Sequence, residues 1–137
     1  MKIFIETSVF IRFLSQDDIK KYKDVSRLIE MIQEGKATPY ISSMVITEIV
    51  FVLTRLYQFS KDKVLAALTD LLALRNIVLI EKTDTRKALY YFKKFNIKYS
   101  DCLIATQVPK GVALITYDHD FQKIPSLIAK TPVEMKI

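Results

Sequence analysis

Apolar residues along this chain alternate between short continuous runs and longer stretches with helical periodicity, and this alternation defines the predicted elements. The short runs predict five strands, the last at an edge: residues 2–5, 39–41, 77–80, 112–116 and 133–136. The periodic stretches predict helices over residues 9–14, 19–32, 43–57, 61–74, 84–95 and 100–109.

Residues at the boundaries of these segments agree with the predicted helices. Ser42 or Ser43, Ser60, Asp84 and Ser100 are of the types that accept hydrogen bonds from the free N–H groups of a first helical turn. Gly35 follows the second helix, where glycine commonly ends a helix in a left-handed conformation. We therefore expect six helices that alternate with the strands.

Strands separated by helices require crossover connections, which favour parallel pairing with helices on both faces of the sheet. The predicted fold class is therefore α/β: a three-layer sandwich with a mainly parallel, roughly five-stranded sheet. A chain of 137 residues, half of them hydrophobic, is of the size of one domain, so residues 1–137 are expected to form a single unit.

The apolar segments do not predict export or a membrane span. The opening run, residues 1–14, is interrupted by Glu6 and Arg12 and lacks a following small-residue cleavage site. Other apolar runs are too short to cross a bilayer, and the single Cys102 has no partner for an internal disulfide. We expect a cytoplasmic protein with no membrane partner.

Scarce residue types exclude several kinds of active site. With only Gly35 and Gly111, the chain has no glycine-rich phosphate-binding loop, because such loops need several glycines close together. One histidine, His119, and one cysteine exclude multi-histidine metal sites and structural zinc clusters. Carboxylates remain as the candidate catalytic groups.

The formal net charge of +6 and the clustered lysines are compatible with a polyanionic partner such as nucleic acid. A lysine-rich surface that only keeps the protein in solution explains the same charge. Charge alone leaves both interpretations open.

Four acidic residues stand in apolar surroundings: Glu6, Glu48, Asp101 and Asp118. Each has an ordinary explanation, such as a helix-dipole contact, a turn or an ion pair. However, Glu6, Asp101 and Asp118 are predicted to lie at the same end of the sheet, where they would repel one another without a cation between them. Oxygen ligands suit Mg²⁺ or Mn²⁺, and these ions indicate phosphate chemistry.

The chain resembles the PIN-domain ribonucleases, particularly the small stand-alone toxins of toxin–antitoxin pairs. The resemblance runs nearly end to end and rests on four motifs in the family's order and spacing: residues 5–11 (IETSVFI), 43–48 (SMVITE), 99–105 (YSDCLIA) and 115–121 (ITYDHDF).

This resemblance implies roles for eight residues. Glu48, Asp101 and Asp118 would be metal-binding catalytic acids, with Glu6 at the place of the first acid; the accessory residues would be Thr7, Ser8, Thr116 and Asp120. It also implies cleavage of RNA by metal-activated water that leaves a 5′-phosphate and a 3′-hydroxyl, self-association as a homodimer or higher oligomer, and an antitoxin partner.

One departure from the family pattern concerns activity. Family members nearly always have aspartate at the first acidic position, where this chain has Glu6, and a misplacement of about 1 Å in a catalytic group can cost on the order of a hundredfold in rate. The first alternative is a degenerate, non-cleaving PIN domain that binds RNA or protein. The second is a haloacid-dehalogenase phosphatase, suggested by Asp118-His119-Asp120, although that family places its motif after the first strand and not the fourth.

Overall fold

The computed structural model describes residues 1–135, and five parallel strands form its only sheet in that part of the chain. The strands lie in the order β3-β2-β1-β4-β5, so β1 is central. Their bounds are Lys2–Ile5 (β1), Thr38–Ser42 (β2), Val78–Ile80 (β3), Ala113–Ile115 (β4) and Ala129–Lys130 (β5). The predicted parallel α/β sheet is thereby confirmed.

Six helices connect the strands, in pairs after β1, β2 and β3: Thr7–Ser15 (α1), Ile19–Gln33 (α2), Ser43–Arg55 (α3), Lys61–Leu72 (α4), Thr85–Lys94 (α5) and Tyr99–Gln107 (α6). Side chains of Ser42, Ser60 and Asp84 accept hydrogen bonds from backbone N–H groups in the first turns of α3, α4 and α5, as predicted. Gly35 follows α2 with a φ of 79°, the left-handed conformation expected there. None of the helices within residues 1–135 is long and apolar enough to cross a membrane.

The direction of the crossovers separates the helices into two layers. The chain moves outward from β1 to β2 to β3. It then crosses back past β2 and β1 to form β4 on the other side of β1. Because parallel crossovers are almost always right-handed, movement in opposite directions places α1–α4 and α5–α6 on opposite faces of the sheet. Consistent with this division, α5 and α6 enclose a small apolar cluster separate from the main core.

The main core surrounds β1, where Ile3, Phe4 and Ile5 are almost completely buried. Both neighbours of β1 are strands, and helices cover both faces, so an unbroken apolar run is expected there. The first polar residue after the run, Glu6, therefore emerges where the sheet ends and α1 begins.

Two local predictions were wrong. The edge strand is Ala129–Lys130, and the strand predicted over residues 133–136 is not formed where it is described, because a short 3-10 helix, Pro132–Glu134, overlaps its start. Lys136 of that segment lies outside the described residues. Ser100 does not cap α6, because the helix begins at Tyr99 with Lys98 as its N-cap and without a capping side-chain hydrogen bond.

Candidate metal centre

The site begins where the two central strands end beside each other. β1 and β4 pair in parallel, with Ile5 opposite Ile115, so Glu6 and Thr116 leave the sheet at the same edge. The backbone N–H of Glu6 donates to the Ile115 carbonyl oxygen at 3.0 Å, which extends this pairing to the first acidic residue. Parallel pairing thus brings together side chains that are 110 residues apart in the sequence.

Glu6 is buried, with 4% of its surface exposed, and one of its carboxylate oxygens is held by three donors. Glu6 Oε1 accepts hydrogen bonds from Ser8 N at 3.2 Å, from Ser8 Oγ at 2.6 Å and from Thr116 Oγ1 at 2.6 Å. Burial raises the pKa of Glu6, while the bonds from Ser8 and Thr116 act in the opposite direction.

The two hydroxyls around Glu6 are oriented by the backbone. Ser8 Oγ accepts from Tyr117 N, and Thr116 Oγ1 accepts from Asp118 N, both at 2.9 Å. Because the backbone N–H groups occupy an acceptor side of each hydroxyl, the hydroxyl hydrogens are free to point toward Glu6. The structure therefore holds this carboxylate in one position.

Glu48 reaches the same place from α3, which lies on the same face of the sheet as α1. Its Oε1 accepts a 2.6 Å hydrogen bond from Thr7 Oγ1, and 14% of its side chain is exposed. Thr7 is the first residue of α1, directly after Glu6, and α1 packs against α3. One α1 residue therefore positions the second acid while its chain neighbour supplies the first.

Asp101 is the most isolated of the acids. It is the third residue of α6, it is 1% exposed, and neither of its carboxylate oxygens has a hydrogen-bond partner within the described residues. Burial raises the pKa of Asp101 to about 8; Lys98 opposes this shift, and the charges of Glu48, Glu6 and Asp118 add to it. A buried carboxylate without donors is unfavourable unless it is protonated or a cation is bound.

Lys98 was not identified from the sequence as a residue of the site. Its Nζ lies 3.8 Å from Glu48 Oε2 and 3.9 Å from Asp101 Oδ1, while 65% of the side chain remains exposed. Partial burial disfavours its charge, but Asp101 and Glu48 together raise the pKa of Lys98. The available signal was its position three residues before Asp101, a spacing that brings the side chains of a helix N-cap and the first helical turn near each other.

Glu6, Glu48 and Asp101 are arranged as a metal site would require. Each offers one carboxylate oxygen, and these oxygens lie within 4.8 Å of one another. Opposite ligands of a Mg²⁺ ion are about 4.2 Å apart, twice a metal–oxygen distance of about 2.1 Å, so small side-chain movements would close the site. The buried oxygens of Asp101 accept no hydrogen bond within the described residues, so a cation there would be stabilising. The three residues therefore fit a hard divalent ion.

The remaining predicted residues lie at or beyond the rim. Asp118, Glu6 and Glu48 line a cleft of about 250 Å³, of which Asp101 is not a lining residue. Asp118 Oδ1 accepts a hydrogen bond from Asp120 N at 2.9 Å, and Asp118 is not one of the three clustered acids. Asp120 pairs with Lys123 at 3.0 Å, and it does not line this cleft. Arg12, which the sequence did not indicate, adds a second cation to the cleft wall.

Comparison with known proteins places the fold. Residues 3–127 match the family profile of the PIN domain. No curated protein sequence matched the chain. Among solved structures, the chain is similar to VapBC2 from Rickettsia felis bound to a DNA fragment from its promoter (TM-score 0.65, 20% identity, 96% of this chain and 98% of that chain covered).

Two further structures share the fold. One is VapC20 of Mycobacterium tuberculosis, a toxin that cleaves the sarcin–ricin loop (TM-score 0.68, 18% identity, 88% of this chain and 92% of that chain covered). The other is PAE2754 from Pyrobaculum aerophilum (TM-score 0.62, 16% identity, 98% and 85% covered). At these identities the likeness concerns the backbone fold.

Proposed function

This chain belongs to the PIN domain family, and from that premise we propose that it is a metal-dependent ribonuclease, the toxin of a toxin–antitoxin pair. The observation that carries the proposal is Asp101, a buried carboxylate that has no hydrogen-bond partner among residues 1–135 and lies close to two other acids at the sheet edge. The basic surface of the protein, with a formal charge of +6, is suited to a polyanionic substrate.

In the proposed site, Glu6, Glu48 and Asp101 hold Mg²⁺ or Mn²⁺. The bound ion would lower the pKa of a water molecule, orient the phosphate and offset charge on the leaving oxygen. Thr7 orients Glu48 through its 2.6 Å hydrogen bond, which is the kind of outer contact that fixes a ligand's direction. Asp118, at the rim of the cleft, is proposed as a further acid toward the substrate side.

Glu6 is proposed to replace aspartate without loss of the site. Its longer side chain is fixed by Ser8 and Thr116, so the additional methylene does not leave the carboxylate mobile. A preorganised ligand of this kind retains the precise placement that metal-assisted hydrolysis needs.

The experiment is RNA cleavage with a matched pair of variants. Purified protein is incubated with labelled single-stranded RNA and Mn²⁺, with EDTA as one control. Asp101→Asn is compared with Asp70→Asn, which removes the same charge from an exposed position on α4. We expect Asp70→Asn to cleave like the wild type and Asp101→Asn or EDTA to abolish cleavage.

The specific alternative is a non-cleaving PIN domain that binds RNA, and the glutamate at position 6 is the observation that favours it. RNA retained in a complex but left intact with both Mg²⁺ and Mn²⁺ would establish that alternative. Cleavage that survives Asp101→Asn would contradict both proposals for the site.

An antitoxin and a second copy of the chain are the proposed partners. Large apolar side chains on α3, at its C-terminal cap and on α4 are more than half exposed: Phe51, Leu56 and Leu65. Patches of this kind often mark protein interfaces. Co-expression with the neighbouring reading frame tests the antitoxin, and light scattering of the purified chain tests self-association.

A further inference from the structure

Lys98 reaches into the acidic cluster from outside. Its ammonium lies between two carboxylates that are nearly enclosed, 3.8 Å from Glu48 and 3.9 Å from Asp101. The rest of its side chain stands in solvent, since 65% of it is exposed. The lysine therefore brings a positive charge to the acids without being enclosed with them.

We propose that Lys98 is the counter-cation of the metal-free site, and that a divalent ion replaces its ammonium group when it binds. This inference rests on the proposed metal site formed by Glu6, Glu48 and Asp101. It does not depend on RNA cleavage, so the two can fail separately.

The distances show why the lysine can leave. At 3.8 and 3.9 Å, Nζ is beyond hydrogen-bond range of both carboxylates, so the contact is electrostatic only. The oxygens of Asp101 accordingly accept no hydrogen bond from the described part of the chain, even with Lys98 beside them. Partly exposed ion pairs of this kind are weak, and the flexible lysine stem can rotate into water.

Competition between the two cations follows from this geometry. While Lys98 stays beside the acids, it reduces the negative potential that attracts a divalent ion. Once the ion is bound, the ammonium is repelled and loses its attraction to Glu48 and Asp101. Lys98 thus raises the metal concentration needed to load the site, while it stabilises the metal-free protein.

The test is a calorimetric titration of the metal-free protein with Mn²⁺, using four proteins. Lys98→Met removes the charge and keeps an unbranched side chain, whereas Lys98→Arg retains the charge. Lys110→Met removes the same charge from an exposed position beyond the other end of α6. Asp101 and Gln107 are already about 9 Å apart along that helix, close to the Debye length of about 10 Å at 0.1 M salt, so Lys110 has little influence on the site.

We expect Lys98→Met to bind Mn²⁺ about five- to tenfold more tightly than the wild type, which corresponds to the loss of one or two weak ion pairs. Lys98→Arg and Lys110→Met should bind within about twofold of the wild type. Without metal, Lys98→Met should melt at a lower temperature than Lys110→Met, which also verifies that the variant folds.

Equal or weaker Mn²⁺ binding by Lys98→Met overturns the inference, and RNA cleavage by the wild type would then still support the proposed function. Tighter binding by Lys98→Met with no cleavage of RNA by the wild type gives the opposite result: the inference stands and the proposed function fails. If neither the wild type nor Lys98→Met binds Mn²⁺, both the inference and the proposed metal site are wrong.

Discussion

The two sides of the candidate site differ in how their acids are held. On the β1–β4 side, Glu6 has three hydrogen-bond donors, two of them hydroxyls that backbone N–H groups orient. On the α6 side, Asp101 is also buried but has no hydrogen-bond donor within residues 1–135, and the ammonium of Lys98 lies 3.9 Å from it. The first side is complete as folded, whereas the second needs a proton or a cation. Stability and metal affinity should therefore depend on different residues.

The largest expected effect comes from removing the charge of the unsatisfied side. Asp101→Asn should reduce RNA cleavage by at least about a hundredfold, since it deletes a proposed metal ligand and not merely a supporting contact. Steady-state cleavage of labelled RNA measures this, and a variant that retains more than a tenth of the wild-type rate would show that Asp101 is dispensable.

The same residue predicts the pH dependence of the metal-free protein. The pKa of Asp101 is raised from an ordinary value of 3.8 to about 8 in the folded state. Between these values the unfolded chain releases a proton that the folded protein retains, so the contribution of Asp101 to stability is greatest at low pH and falls until the pH passes about 8. Each pKa unit is worth about 1.4 kcal/mol, so the loss is on the order of a few kcal/mol.

Urea unfolding of the EDTA-treated protein between pH 5 and pH 8 measures this loss. Asp101→Asn has no such carboxyl group and should lose much less stability over that range. Equal pH profiles for the two proteins would mean that Asp101 ionises normally in the fold.

The satisfied side predicts an intermediate effect on stability. Thr116→Val keeps the shape of the side chain but removes the donor to Glu6, and a hydrogen bond to a charged group contributes about 1.5–3 kcal/mol. We expect a loss of stability of about that size, together with a decrease in cleavage of about tenfold from the less fixed carboxylate. A change only in cleavage would mean that Thr116 contacts the substrate.

The smallest effect is expected at the rim. Asp120 is partly exposed and pairs with Lys123, and exposed pairs contribute about 0–1 kcal/mol. Asp120→Asn should therefore change the free energy of unfolding by less than about 1 kcal/mol and the rate of RNA cleavage by less than about threefold. A decrease comparable to that of Asp101→Asn would move Asp120 from the rim into the metal site.

The positions of Glu6 and Thr116 follow from the sequence because they depend only on chain topology. Each comes directly after an apolar run, and parallel neighbouring strands end at the same edge of a sheet. The sequence predicted that Glu6 lies at this end of the sheet, whereas Thr116 was named only through the resemblance to the PIN family, and its hydrogen bond to Glu6 was not predicted. The arrangement of backbone N–H groups that orients the hydroxyls was not visible in the sequence.

Features that depend on side-chain direction escaped prediction. Lys98 is one of many lysines in the chain, and only the start of α6 at Tyr99 directs it toward Glu48. The edge strand was misplaced for a different reason: Ala129–Lys130 is too short for an alternating pattern, whereas the apolar residues after Pro132 imitate one.

The most direct test of the central claim is a crystal structure of the protein grown or soaked with Mn²⁺, with the ion located by its anomalous scattering. We expect a peak between the carboxylates of Glu6, Glu48 and Asp101, with the Lys98 side chain rotated into solvent. A map without a peak at this position, at Mn²⁺ concentrations that support cleavage, would contradict the proposed centre.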